Sequence, residues 1–146
     1  MKNLASCLDH TLLRPDATRG AIEILCEEAV EFGCASVCVP PLHVGLASDR
    51  LYGSGVAVCT VVGFPCGYNT TETKVFEAER AVEAGASEID MVVCLGAVRE
   101  GLYDVVEEDI RCVTAAVPNA VVKVIVECAL FDESVKRRLV ECVVAG

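Results

Sequence analysis

Four short β-branched runs, at 35–39, 56–62, 88–93 and 121–127, alternate with segments whose apolar residues recur every three or four positions. Strands that are almost continuously hydrophobic need cover on their faces, and parallel strands joined by crossover helices supply it. The intervening stripes fit that role: Ile22, Leu25, Cys26 and Ala29, then Val75, Ala78 and Val82, then Val106, Ile110, Val113 and Val117. A last helix over 133–144 carries Val135, Leu139, Cys142 and Val143 on one stripe, with Asp132 as its cap. Gly33 and Gly85 stand where helices should stop, and Asn69-Thr70-Thr71-Glu72 reads as a capping box opening a helix at 70–84. This leaves an open doubly wound sheet or a (β/α)8 barrel of TIM type. No G-x-G-x-x-G follows the first strand, which weakens a dinucleotide-binding reading. A full barrel needs about 250 residues. If the chain is a barrel, it is one truncated to about four βα units plus a final helix, with residues 1–146 as the N-terminal half of one domain.

Charge narrows the partners. Acids outnumber bases 22 to 12, giving a net charge of −10. Nucleic acids and anionic membranes reward clustered Lys and Arg, so neither is expected as a partner. No apolar run approaches the roughly 18 residues of a spanning helix, and the first residues lack a signal-peptide core, so the expected location is the cytoplasm. The ten cysteines are scattered without a C-x-x-C pair, several at core-facing positions, and read as reduced filler. Cys34 and Cys38 are four apart, but no histidine stands at ligand spacing, so no metal is expected.

Two opposite charges interrupt the strand runs: Asp90 in Glu-Ile-Asp-Met-Val-Val and Lys123 in Val-Val-Lys-Val-Ile-Val-Glu. An isolated charge in an apolar interior costs several kcal/mol, so each must be paired, neutralised or open to a polar cavity. A structural ion pair between strands and a functional site are both consistent with the local pattern. In a barrel, side chains alternate between lumen and helix layer, which places Asp90 in the lumen. Functional groups lie toward the C-terminal strand ends and the loops beyond them, which points to Thr60, the 63–69 loop, Asp90 and Lys123.

Several segments in order carry a family likeness: Leu8-Asp9-His10-Thr11-Leu12-Leu13; Ala35-Ser36-Val37-Cys38-Val39; Gly63-Phe64-Pro65, then Asn69-Thr70-Thr71-Glu72 and Lys74; Glu88-Ile89-Asp90-Met91-Val92; and Val122-Lys123-Val124-Ile125-Val126-Glu127. In combination they resemble the deoxyribose-phosphate aldolases. The resemblance implies a (β/α)8 barrel and a metal-free class I aldolase needing no cofactor. Such an enzyme reversibly cleaves 2-deoxy-D-ribose 5-phosphate to D-glyceraldehyde 3-phosphate and acetaldehyde through a lysine imine. Asp90 matches the family's proton-shuttling aspartate, and Lys123 matches a lysine close to the reacting centre. Cys38 and Thr60 match strand ends in the pocket and are substrate-binding candidates. The imine-forming lysine belongs to a Val-Lys-Thr-Ser-Thr-Gly-type strand after an Ala-Gly helix end, and residues 1–146 contain no such strand. The 146 residues alone are accordingly expected to be inactive. Val39-Pro40-Pro41 and Cys66-Gly67-Tyr68 depart from the usual pattern and bear on pocket shape.

Other residues have plainer readings. His10, in a turn before the first strand, and His43 are expected to be hydrogen-bonded structural or surface residues. Lys74 is expected to be exposed or to pair with a helix, and Glu27-Glu28 and Glu107-Glu108-Asp109 to be solvated helix faces. A competing reading is a non-catalytic half-barrel that self-associates through open sheet edges at 35–39 and 121–127.

Overall fold

The computed structural model describes residues 4–146. Its elements in chain order are β1 (Asp9–Thr11), α1 (Arg19–Phe32), β2 (Ser36–Val39), α2 (Val44–Leu51), β3 (Ala57–Val62), α3 (Thr71–Glu83), β4 (Glu88–Val92), α4 (Leu95–Glu100), α5 (Tyr103–Ala116), β5 (Val121–Ile125) and α6 (Glu133–Ala145). The strands form one sheet in the order β1-β2-β3-β4-β5. The chain divides into two compact units: residues up to Val61 with Ala81–Ile89, and Val62–Arg80 with Asp90–Gly146.

In the first unit, β2 pairs in parallel with β1 and with β3, in a register that sets Thr11 opposite Cys38, Cys38 opposite Cys59 and Val39 opposite Thr60. The hydroxyl of Thr18 caps α1 by accepting from the Ala21 amide at 3.3 Å. The helix stops at Gly33, whose φ of 69° is the left-handed conformation that glycine tolerates best. Its buried face is the stripe read from the sequence, Ile22, Leu25, Cys26 and Ala29. Burying Ile22 and Leu25 contributes about 1.5–3 kcal/mol each.

One element here differs from expectation. β1 was expected to be a turn, and its three residues are too short to show any periodicity. Its presence makes β2 an inner strand, so the open edge expected at 35–39 lies at Asp9–Thr11 instead. α2 is a helix of eight residues after Pro40-Pro41, burying Val44, Ala47 and Leu51.

In the second unit α5 packs on α6, burying Val106, Asp109, Ile110 and Val113 from one and Leu139 and Cys142 from the other. β5 lies at the other edge of the sheet, partly exposed along its length. Asp132 caps α6 as expected, accepting from the Val135 amide at 3.0 Å. That bond, with a second from the Ser134 hydroxyl, holds its carboxyl below the usual aspartate range. A carboxyl whose folded-state pKa is lowered adds stability that is present above its unfolded value, near pH 4, and is lost as pH falls through the folded value. Asp132→Asn keeps the cap and loses the ionisation. Its melting temperature is expected to fall below that of the parent at neutral pH and to converge with it on acidification, as followed by circular dichroism.

Candidate active site

Asp90 stands on β4 between the fully buried Ile89 and Met91, and Lys123 stands on β5. Lys123 Nζ lies 3.2 Å from Asp90 Oδ1, with side-chain exposures of 35% and 19%. The separation is that of an ion pair, yet Oδ1 is buried and receives no hydrogen bond among the described residues, because the approach lacks hydrogen-bond geometry. The carboxylate thus has a Coulombic partner and an acceptor lone pair that the chain leaves without a donor. Buried polar atoms are ordinarily satisfied, and an exception of this kind is characteristic of a group that meets water or substrate.

A second pair, this one buried, braces the end of the same strand. Lys74 on α3 is 0% exposed, and its Nζ donates to Asp109 Oδ2 on α5 at 2.5 Å and to the Val92 carbonyl at 2.9 Å. Thr71 donates its hydroxyl to the other oxygen, Oδ1, at 2.8 Å. Val92 is two residues beyond Asp90, so the brace fixes the backbone that carries the carboxylate. Of the two roles expected for Lys74, exposed or helix-pairing, the structure has the pairing, while one expectation is corrected: Asp109 is not on a solvated face but buried. The signal for both was in the stripes. Lys74 lies four and seven residues before the buried Ala78 and Ala81, and Asp109 lies between Val106 and Val113.

The 63–69 loop is held by its backbone. The Gly63 amide donates to Glu77 Oε2 at 2.8 Å, and Asn69 Nδ2 reaches Oε1 at 3.5 Å. Asn69 therefore bonds to the middle of α3, while the Thr73 amide reaches the Thr70 hydroxyl at 3.4 Å at the helix start. The Gly67 amide closes the turn onto the Gly63 carbonyl at 2.7 Å. Gly67 has φ of 70°, and a Cβ there would sit 1.9 Å from the Val93 carbonyl oxygen. Gly67→Ala combines a left-handed conformation, costing about 1–2 kcal/mol, with a clash against backbone. The variant is expected to lose more than that from its urea unfolding free energy, whereas Gly96→Ala, with open space around its Cβ, should not be destabilised.

The other two candidates lie in the first unit. Cys38 is buried in a cluster with Cys59, Val61 and Leu13. Thr60 is fully buried and donates its hydroxyl to the Val39 carbonyl at 2.7 Å. Because Cys38 pairs with Cys59 and Thr60 with Val39, strand alternation puts Cys38 and Thr60 on opposite faces of the sheet. The structure therefore does not bring these two together to line one cavity. Both histidines are hydrogen-bonded: His10, which lies on β1, to Glu28 Oε2 at 2.7 Å, and His43 to the Ala17 carbonyl at 3.2 Å.

The model of the DeoC/LacD family aldolases matches residues 4–145. The chain belongs to that family. Among curated relatives, the deoxyribose-phosphate aldolase of Geobacillus sp. (strain WCH70) is 53% identical over 137 residues, which are 93% of this chain and 61% of that protein. The deoxyribose-phosphate aldolase of Clostridium kluyveri (strain ATCC 8527) is 51% identical over 146 residues, covering 99% of this chain and 66% of that one. The DeoC/LacD chain thus spans about three fifths to two thirds of the length of these relatives. Among solved structures, the aldolase QR15 superposes with a TM-score of 0.94 at 38% identity, covering 99% of this chain and 65% of that one. The deoxyribose phosphate aldolase of Aeropyrum pernix, described as a unique tetramer, gives 0.84 at 35% identity, covering 97% and 60%. The α/β fold expected from the sequence is therefore the fold of solved DeoC/LacD aldolases, with five strands here. No helix among the described residues is long and apolar enough to cross a membrane.

Proposed function

We propose that this chain supplies the proton-transferring part of a deoxyribose-phosphate aldolase site, acting on 2-deoxy-D-ribose 5-phosphate to give D-glyceraldehyde 3-phosphate and acetaldehyde. The observation that carries the reading is the Asp90–Lys123 pair: a carboxylate placed against a cation, with its buried Oδ1 short of a donor. Family membership and the aldolase names of relatives about 50% identical support the reaction class.

In this scheme a lysine amine attacks the carbonyl carbon and water leaves, so that the protonated imine draws electrons from the breaking carbon–carbon bond. Asp90, through a bridging water, takes the hydroxyl proton as that bond breaks and returns a proton to the acetaldehyde carbon. Lys123 contributes a positive field that lowers the pKa of the nucleophilic amine and so maintains its neutral form. Cys38 is a substrate-contact candidate on β2, and Thr60 acts indirectly, by holding the Val39 carbonyl at the end of β2. The chemistry runs on an amine and a carboxylate without a metal. The phosphorylated sugar is the partner, and the setting is the cytoplasm. Association with further copies of the chain goes through exposed sheet edges.

The nucleophile is not Lys123, so the 146 residues alone form no stable imine. Incubation with acetaldehyde and borohydride, followed by mass spectrometry, is expected to leave Lys123 unmodified. A reduced adduct on Lys123 would reverse the assignment. Adding the part of the Geobacillus aldolase that lies beyond the matched region supplies the family's imine-forming lysine, and cleavage activity is expected only in that mixture.

A further inference from the structure

Cys38 on β2 faces Cys59 directly across the parallel ladder, and their sulfurs lie within 4.8 Å of each other. Both are buried, at 3% and 0% exposure, in the cluster that Val61 and Leu13 complete. Neighbouring strands run about 4.8 Å apart, and a disulfide accepts Cα separations of about 4.4–6.8 Å. The backbone spacing therefore already suits a bond between the two sulfurs.

We propose that Cys38 and Cys59 form a modification site, a dithiol that hydrogen peroxide converts into a reversible disulfide linking β2 to β3. Cys38, the slightly more accessible of the two, reacts first. Its thiolate attacks one peroxide oxygen, the O–O bond breaks, and the released hydroxide takes up the thiol proton to become water. The Cys59 sulfur then attacks the sulfenic sulfur of Cys38, and the sulfenic oxygen leaves as a second water with the Cys59 proton. Two thiols lose two electrons, and one peroxide is reduced to two waters. Burial decides which oxidants act: a water-sized peroxide reaches the cluster, and a bulky disulfide such as oxidised glutathione does not. It also makes the pair slower to react than the exposed Cys7 and Cys128. Once Cys38 is oxidised, however, Cys59 is the nearest trap, and proximity favours closure over further oxidation.

The test is peptide mapping of the 146-residue chain after treatment with hydrogen peroxide, quenching with N-ethylmaleimide in denaturant and digestion without reductant. The expected result is a crosslink localised by fragmentation to Cys38 and Cys59, at least about tenfold more abundant than any other intramolecular link and removed by dithiothreitol. Peroxide-treated unfolded chain should give scrambled links. In Cys59→Ala, Cys38 should still react and, with no resolving thiol opposite, proceed to the sulfinic acid. If a disulfide to Cys34 or Cys66 dominates in the folded protein, or if Cys38 over-oxidises with Cys59 present, the proposal is overturned. It is equally overturned if the pair stays reduced when peroxide treatment is continued well beyond the point at which Cys7 and Cys128 are fully oxidised.

Discussion

Asp90→Asn is expected to slow deoxyribose-phosphate cleavage by about 10²–10⁴-fold once the imine-forming segment is supplied, the usual contribution of a positioned acid–base group. The amide preserves the shape of the side chain and can still accept a hydrogen bond, so binding should change little. It cannot carry a proton between hydroxyl and carbon, and it no longer attracts Lys123 across 3.2 Å. The loss should therefore appear in kcat with KM nearly unchanged, measured by coupling glyceraldehyde 3-phosphate to its dehydrogenase. A loss confined to KM, or a rate within about threefold of the parent, sits far outside the acid–base range and would remove Asp90 from the proton path. Lys123→Met provides the complementary reading. Without its positive field, the nucleophilic amine regains a higher pKa, and the rising limb of the pH–rate profile moves to more alkaline pH.

Asp109→Ala is expected to destabilise the fold by about 3–5 kcal/mol, the cost of leaving one member of a buried ion pair without its partner. The total stability of a domain is about 5–15 kcal/mol, so the variant should be largely unfolded in moderate urea. The magnitude follows from the setting. Lys74 is fully buried, and its remaining acceptor in the structure is the Val92 carbonyl. Thr71 also loses its acceptor. The double variant Lys74→Met with Asp109→Leu removes both charges and should recover much of the loss, since burying the pair itself carries a desolvation cost. A double-mutant cycle from urea midpoints at constant slope isolates the coupling. A single-variant cost below about 1 kcal/mol is typical of exposed pairs and would place the brace in that class.

These two pairs also show how far the residues speak for themselves. Asp90 and Lys123 were visible because each breaks an apolar run, and β4 and β5 are neighbours in the sheet. Lys74 and Asp109 are 35 residues apart, and a charge in a helix ordinarily faces solvent, so only their phase with buried alanines and valines hinted otherwise. The facing of Thr60 was illegible for a different reason. All but the first residue of β3 are buried, so the run shows no alternation, and its facing is settled only by the register with β2. β1 could not have been found by periodicity, since three residues contain no full repeat beyond one alternation. The long helices, with the stop at Gly33 and the cap at Asp132, were the most legible parts, because each signal there is local.

The 63–69 loop is fastened through main-chain atoms, at the Gly63 amide, the Gly67 amide and the close approach of Gly67 to Val93. Phe64 and Tyr68 meanwhile project outward, at 44% and 79% exposure. Anchoring and display are thus assigned to different residues. Positions 64 and 68 form a cassette that can be randomised without unseating its mount, which makes them the natural first choice for directed evolution of new specificities on this scaffold.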